Sequence, residues 1–140
     1  MIKIKKILIG YDGSESSGKA YLYALDLAKK YDAELVVLSV ARPPEPPEDI
    51  ETEALLENAQ EHYEKSFAQL KEQAAKQGLQ PRCEVVVGHP AEQIIYRAEQ
   101  EDFDLIVMGH RGKTLLQRWL LGSVTKRVTS YAHCAVLIVR

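Results

Sequence analysis

Short apolar runs alternate with longer stretches of helical spacing along the whole chain, the pattern of repeated strand–helix units around a parallel sheet. The runs predict five strands, at about 5–10, 34–40, 81–87, 104–108 and 134–139. The intervening spacing predicts four helices, at about 16–31, 49–77, 91–99 and 116–131. The fold class expected is therefore α/β, an open five-stranded parallel sheet flanked by four helices. A flavodoxin-like strand order of 3-2-1-4-5 would set the first strand beside the fourth.

Within the first helix Ala20, Ala24, Leu27, Ala28 and Tyr31 fall on one face, and Ser14 stands where a cap belongs. The small residues on that face would let the helix lie close to the sheet. In the second helix Leu56, Ala59, Tyr63, Phe67, Leu70 and Ala74 form an apolar stripe, read as core, and the remaining positions carry charge. Gly78 is placed to end it. Between the second strand and this helix, Pro43, Pro44, Pro46 and Pro47 rule out helix and central strand alike, so a stiff loop is expected at the carboxyl edge of the sheet.

Length and composition narrow the classes of function. The chain has 140 residues, which suggests one domain spanning 1–140, with 46% apolar and 27% charged residues. A formal net charge of -2 gives no electrostatic case for nucleic acid. No apolar run reaches the roughly 18 residues that a membrane helix needs. The basic and apolar opening, Met1 to Gly10, is too short in its apolar part for a secretory signal and reads as a first strand, so a cytoplasmic location is expected. Cys83 and Cys134 have no metal-ligand spacing and read as buried reduced thiols, and the four histidines are scattered. No metal site made by protein ligands alone is expected.

The chemistry concentrates after the fourth strand. Leu105-Ile106-Val107-Met108 runs into Gly109-His110-Arg111-Gly112, and Gly122-Ser123 follows after nine intervening residues. Glycines three apart would let successive N–H groups turn toward one anion, through positive φ angles or close approach. Gly122-Ser123 opens a stretch of helical spacing whose first-turn N–H groups would face the same anion. Asp12 sits just past the first strand, so at a switch point between strands 1 and 4 it would face the same crevice; the plain alternative is a turn and helix cap. Arg111 and Lys113 are candidate phosphate partners, while His110 reads more as a solvated loop side chain than as a proton carrier. Gly112-Lys113-Thr114 is not a P-loop, because Val107 occupies the position that needs glycine.

The spacing Gly-x2-Gly-x9-Gly-Ser resembles the nucleotide-binding signature of the universal stress protein family. The likeness extends from Asp12-Gly13-Ser14 through Val87-Gly88-His89-Pro90 to the terminal strand. It implies an ATP-binding member of the family, with Mg²⁺ accompanying the nucleotide. Asp12 would contact the nucleoside, Val40 would offer backbone groups to the adenine edge, and Gly109, Gly112, Gly122 and Ser123 would hold ribose and phosphates. No catalytic set is evident, so a nucleotide-sensing regulatory protein is expected; the alternative is a slow ATP hydrolase or adenine-nucleotide transferase on the same fold. The uncharged terminal strand, Cys134 to Val139, would be an open edge, and pairing with its own copy in a homodimer would cover it. This agrees with the family, although Ala135 stands where members commonly have proline.

Overall fold

The computed structural model describes residues 1–44, 51–111 and 121–140. In chain order the elements are β1 (Lys6–Gly10), α1 (Glu15–Tyr31), β2 (Glu34–Ala41), α2 (Thr52–Ala75), β3 (Arg82–Val87), α3 (Pro90–Gln100), β4 (Leu105–Gly109), α4 (Ser123–Tyr131) and β5 (Ala135–Val139). All strand pairs are parallel and the sheet order is β3-β2-β1-β4-β5. The expected α/β architecture and strand order are both observed.

Side chains alternate across the sheet, and each face has its own core. Ile7, Ile9, Leu35, Val37 and Val107 point to the side covered by α1 and α2, where they meet Ala20, Tyr21, Ala24, Leu70 and Ala74. Leu8, Val36, Leu38, Ile106 and Met108 point the other way, against Ile94 and Ala98 of α3 and Val128 of α4. Tyr21 is fully buried and donates its hydroxyl to the Leu70 carbonyl at 2.5 Å, which ties α1 to α2. Burial of the phenol holds it far above its ordinary pKa, so it remains a donor.

Several sequence expectations need correction. The buried face of α1 is Ser17, Ala20, Tyr21, Ala24, Leu25 and Ala28; Tyr31 is exposed, because the chain turns away at left-handed Asp32. The fourth helix does not extend continuously from 116, since Leu121 and Gly122 are non-helical and α4 begins at Ser123. Positions 116–120 lie outside the described residues, as do Pro46, Pro47 and the expected start of the second helix at 49. Gly78 does end α2, at φ +74°, with Leu79 N–H returning to the Ala74 carbonyl at 2.9 Å.

The amino edge of the sheet is tied by polar contacts. Asp104 Oδ2 accepts from the N–H groups of Lys5 and Lys6 at 2.8 and 3.0 Å, and Lys6 Nζ donates to the Glu101 carbonyl at 2.5 Å. Arg82 bridges Glu34, Glu84 and Glu101, and Arg97 pairs with Glu84 and Glu101. Asp104 therefore stands at the edge away from the loops that follow the strands, as the sequence suggests.

Candidate functional site

A crevice of about 520 Å³ opens over the carboxyl ends of β1, β2 and β4. Its size suits a small molecule. Strand order explains its position: β1 leads to α1 on one face and β4 leads toward α4 on the other, so their loops diverge and leave a gap. Leu38, Val40, Ile94 and Met108 give the crevice an apolar bed, and Gly10 adds no side chain to it. A Cβ at Gly10 would meet Ile94 Cδ1 at 2.9 Å.

On the β1 side the chain satisfies itself. Asp12 Oδ1 accepts from Ser14 N–H at 2.9 Å, Gly13 takes φ +81°, and Ser14 Oγ accepts from Ser17 N–H at 3.1 Å. The Asp12-Gly13-Ser14 turn is thus both a turn and the cap of α1, as the plain alternative held. Asp12 nevertheless lines the crevice, and the two duties are compatible because a carboxylate has more acceptor sites than the turn uses.

Val40 lies within β2, opposite Val86 of β3. The carbonyl of Ala41 accepts from Gly88 N–H on the β3 side, and successive residues of a strand aim their polar groups to opposite sides. Val40 therefore turns its N–H and C=O toward β1, whose pairing with β2 ends at Gly10 opposite Leu38. Among the described residues no backbone bond from β1 reaches Val40.

On the β4 side, the two described glycines of the motif do different things. Gly109 has no positive φ, contrary to one reading of the sequence; a Cβ there would lie 2.6 Å from the Ser16 carbonyl carbon and 2.3 Å from Ser16 Oγ. It is glycine so that α1 can press against the end of β4. Gly122 is the N-cap of α4 at φ -60° and ψ 152°, an extended conformation open to any residue. It supplies no side-chain cap, and the first intrahelical bond belongs to Lys126 N–H. The N–H groups of Ser123, Val124 and Thr125 are thereby left without intrahelical partners, and all three residues line the crevice.

Arg111 lines the crevice as well. Gly112 and Lys113 lie outside the described residues. His110 departs from expectation, being 6% exposed, with Nε2 lacking a hydrogen-bond partner among the described residues. Burial first, then Arg140 and Arg111, lowers its pKa below the ordinary imidazole value, and it does not line the crevice. Its backbone explains its position: N–H donates to the Val139 carbonyl at 2.7 Å, and C=O accepts from Gly122 N–H at 3.0 Å, so the peptide joins the end of β5 to the start of α4.

Several lining residues were not singled out for the site from the sequence, Arg42 and Tyr63 among them. Arg42 follows β2 directly, and a basic residue at the carboxyl end of a strand is a legible signal. Tyr63 belongs to the α2 stripe, where nothing distinguishes it from core. Cys83 and Cys134 are free, and burial raises both thiols, Cys83 to about 11. Among the described residues no cluster of three metal-ligating side chains is found.

A parallel sheet with this order and a crevice at the carboxyl ends of its strands define an α/β protein with a topological switch point between β1 and β4. The chain belongs to the universal stress protein family, whose model matches residues 3–140. A universal stress protein of Methanocaldococcus jannaschii is 41% identical over 143 residues, covering 97% of this chain and 82% of that protein. Universal stress protein UspA from Lactobacillus plantarum has a TM-score of 0.87 at 26% identity, with 100% of both chains covered. A universal stress protein in complex with cAMP has a TM-score of 0.76 at 25% identity, covering 99% of each chain.

Proposed function

We propose that the chain is an ATP-binding universal stress protein, a single nucleotide-binding domain over 1–140 that acts in the cytoplasm as a homodimer and senses nucleotide rather than consuming it. The observation that carries this reading is the start of α4, whose first-turn residues Ser123, Val124 and Thr125 have no N–H partner among the described residues and line the same crevice as Asp12. Oriented N–H groups and the positive end of a helix stabilise an anion there. The triphosphate would lie at Gly122, Ser123 and Arg111, with Gly112 in the same loop. The adenosine would extend past Gly109 to Asp12, with Val40 offering its N–H and C=O to the base edge over the apolar bed. A relative's complex with cAMP supports an adenine nucleotide as the ligand class.

Mg²⁺ would accompany the phosphates and supply counter-charge. Asp12 is the one carboxylate lining the crevice among the described residues, which favours holding over hydrolysis. For the dimer, β5 pairs among the described residues only with β4 and carries Ala135 to Val139 without a charge, which leaves its other edge for a second copy. Among the described residues no helix is long and apolar enough to cross a membrane.

Titration of the purified chain with ATP, ADP and AMP, with and without Mg²⁺, tests the reading directly. Saturable ATP binding is expected; no binding of any adenine nucleotide would refute it. Sedimentation equilibrium should give twice the mass of the chain, and a single-chain mass at high concentration would remove the dimer.

A further inference from the structure

His110 stands just beyond β4, and the backbone on either side of it is held in place. Its N–H donates to the Val139 carbonyl at 2.7 Å, and its C=O accepts from Gly122 N–H at 3.0 Å. The Gly109 carbonyl before it accepts from Thr125 Oγ1 at 2.9 Å, and Arg111 N–H after it donates to Ser16 Oγ at 3.4 Å. The end of β5, the start of α4 and the first turn of α1 thus grip one short stretch of chain. The imidazole in that grip is buried, and its Nε2 is sealed from solvent without a hydrogen-bond partner among the described residues. A buried polar atom left unpaired in so firmly held a place calls for a reason.

The charges that bear on the ring share one sign. Arg140 follows β5 and Arg111 follows His110 itself, and both disfavour a further positive charge. Glu15 in the first turn of α1 and Asp12 in the β1 turn do not offset them, and α4 has no acidic residue in its first turn. The positive end of α4 acts in the same direction. Burial and the two guanidiniums therefore leave the imidazole neutral at pH 7. A phosphate would reverse that balance, because it brings negative charge to the helix start that His110 is bonded to and offsets Arg111. His110 does not line the crevice, so it would feel the ligand through its field and not by contact. We propose that His110 is a proton-linked sensor of the anion site: phosphate bound at the start of α4 draws a proton from solvent onto its imidazole, and the nucleotide is held more tightly as pH falls. This rests on the nucleotide-binding reading above. The sign follows from linkage, since a complex that carries more protons than the free protein is favoured by acid.

NMR titration of the His110 imidazole in the full chain, with and without saturating ATP, reads the effect directly. Its midpoint should lie below 6.5 in the free protein and move to higher pH when ATP is bound. Isothermal titration with ATP in wild type and in His110→Gln separates this proton from those of the nucleotide's own phosphates, which titrate alike in both. The ratio of wild-type to variant affinity should rise at least about threefold from about pH 7.5 to about pH 5.5. A His110 midpoint that ATP leaves in place or lowers overturns the proposal, and this reading needs no variant to fold. So does an affinity ratio that is constant across that range, and in either case ATP binding itself stands. Absence of ATP binding to wild type refutes the nucleotide reading and this one with it.

Discussion

Two helices begin at the same crevice, and their first turns are built oppositely. At α1, Ser14 caps Ser17 N–H and Asp12 holds the turn, so the chain meets its own hydrogen-bonding needs. At α4, Gly122 supplies no side-chain cap, and Ser123, Val124 and Thr125, whose N–H groups have no intrahelical partner, line the crevice. A helix start satisfied by its own residues contributes to stability; one left bare contributes a place for an anion. The contrast separates what holds this edge of the molecule together from what it offers to a ligand.

The largest effect should come from the residue that lets the start of α1 approach the end of β4. Gly109→Ala forces a Cβ to 2.6 Å from backbone of α1, and destabilisation by about 3 kcal/mol is expected in denaturant unfolding. Gly10→Ala is the comparison, since its nearest obstacle is the flexible end of Ile94 and a smaller loss should follow. Gly122→Asp would give α4 the cap that α1 already has. Because Gly122 is extended, the change brings no backbone strain; the unfolding midpoint should hold or rise slightly while ATP affinity falls about 100-fold. A variant that still bound ATP like wild type would remove the phosphate from this helix start.

Ser14→Ala should do the reverse of Gly122→Asp. Loss of the α1 cap costs about 1 kcal/mol in thermal unfolding, with ATP affinity at saturating folded protein little changed. The smallest effect belongs to the amino edge of the sheet, which has no part in the crevice. The hydrogen bond from Arg82 lowers the Glu101 pKa below 4.5, with Arg97 and Lys6 adding to it. A lowered folded pKa means stability present above the unfolded value and lost as pH falls through the folded one. Acid unfolding of wild type should therefore exceed that of Glu101→Gln by a few tenths of a kcal/mol below about pH 4.5, since the pair is solvent-screened. Identical acid limbs would show that the pair adds nothing.

How far the sequence carries differs from residue to residue. Five apolar runs separated by amphipathic helices leave few ways to bury both faces of each strand, and the strand order follows the expected one. Gly109 was legible as a special position, but its reason was not: the need comes from Ser16, 93 residues earlier in the chain, and not from a left-handed turn. The His110 side chain reads as a polar loop residue and is buried, because its peptide bridges β5 and Gly122. Tyr63 shares the spacing of Ala59, Leu70 and Ala74, so periodicity assigns all four to the core alike.

Local information was enough for elements, sheet class and the glycine spacing, because periodicity and turn chemistry are written in neighbouring residues. Only the folded chain decided which polar groups stayed unpaired and which distant side chains met them. That choice depends on where β1 stops beneath Val40, how closely α1 approaches Gly109, and where α2 sets Tyr63 against the acidic turn. Each is a contact between segments far apart in sequence, fixed by packing that no local pattern encodes.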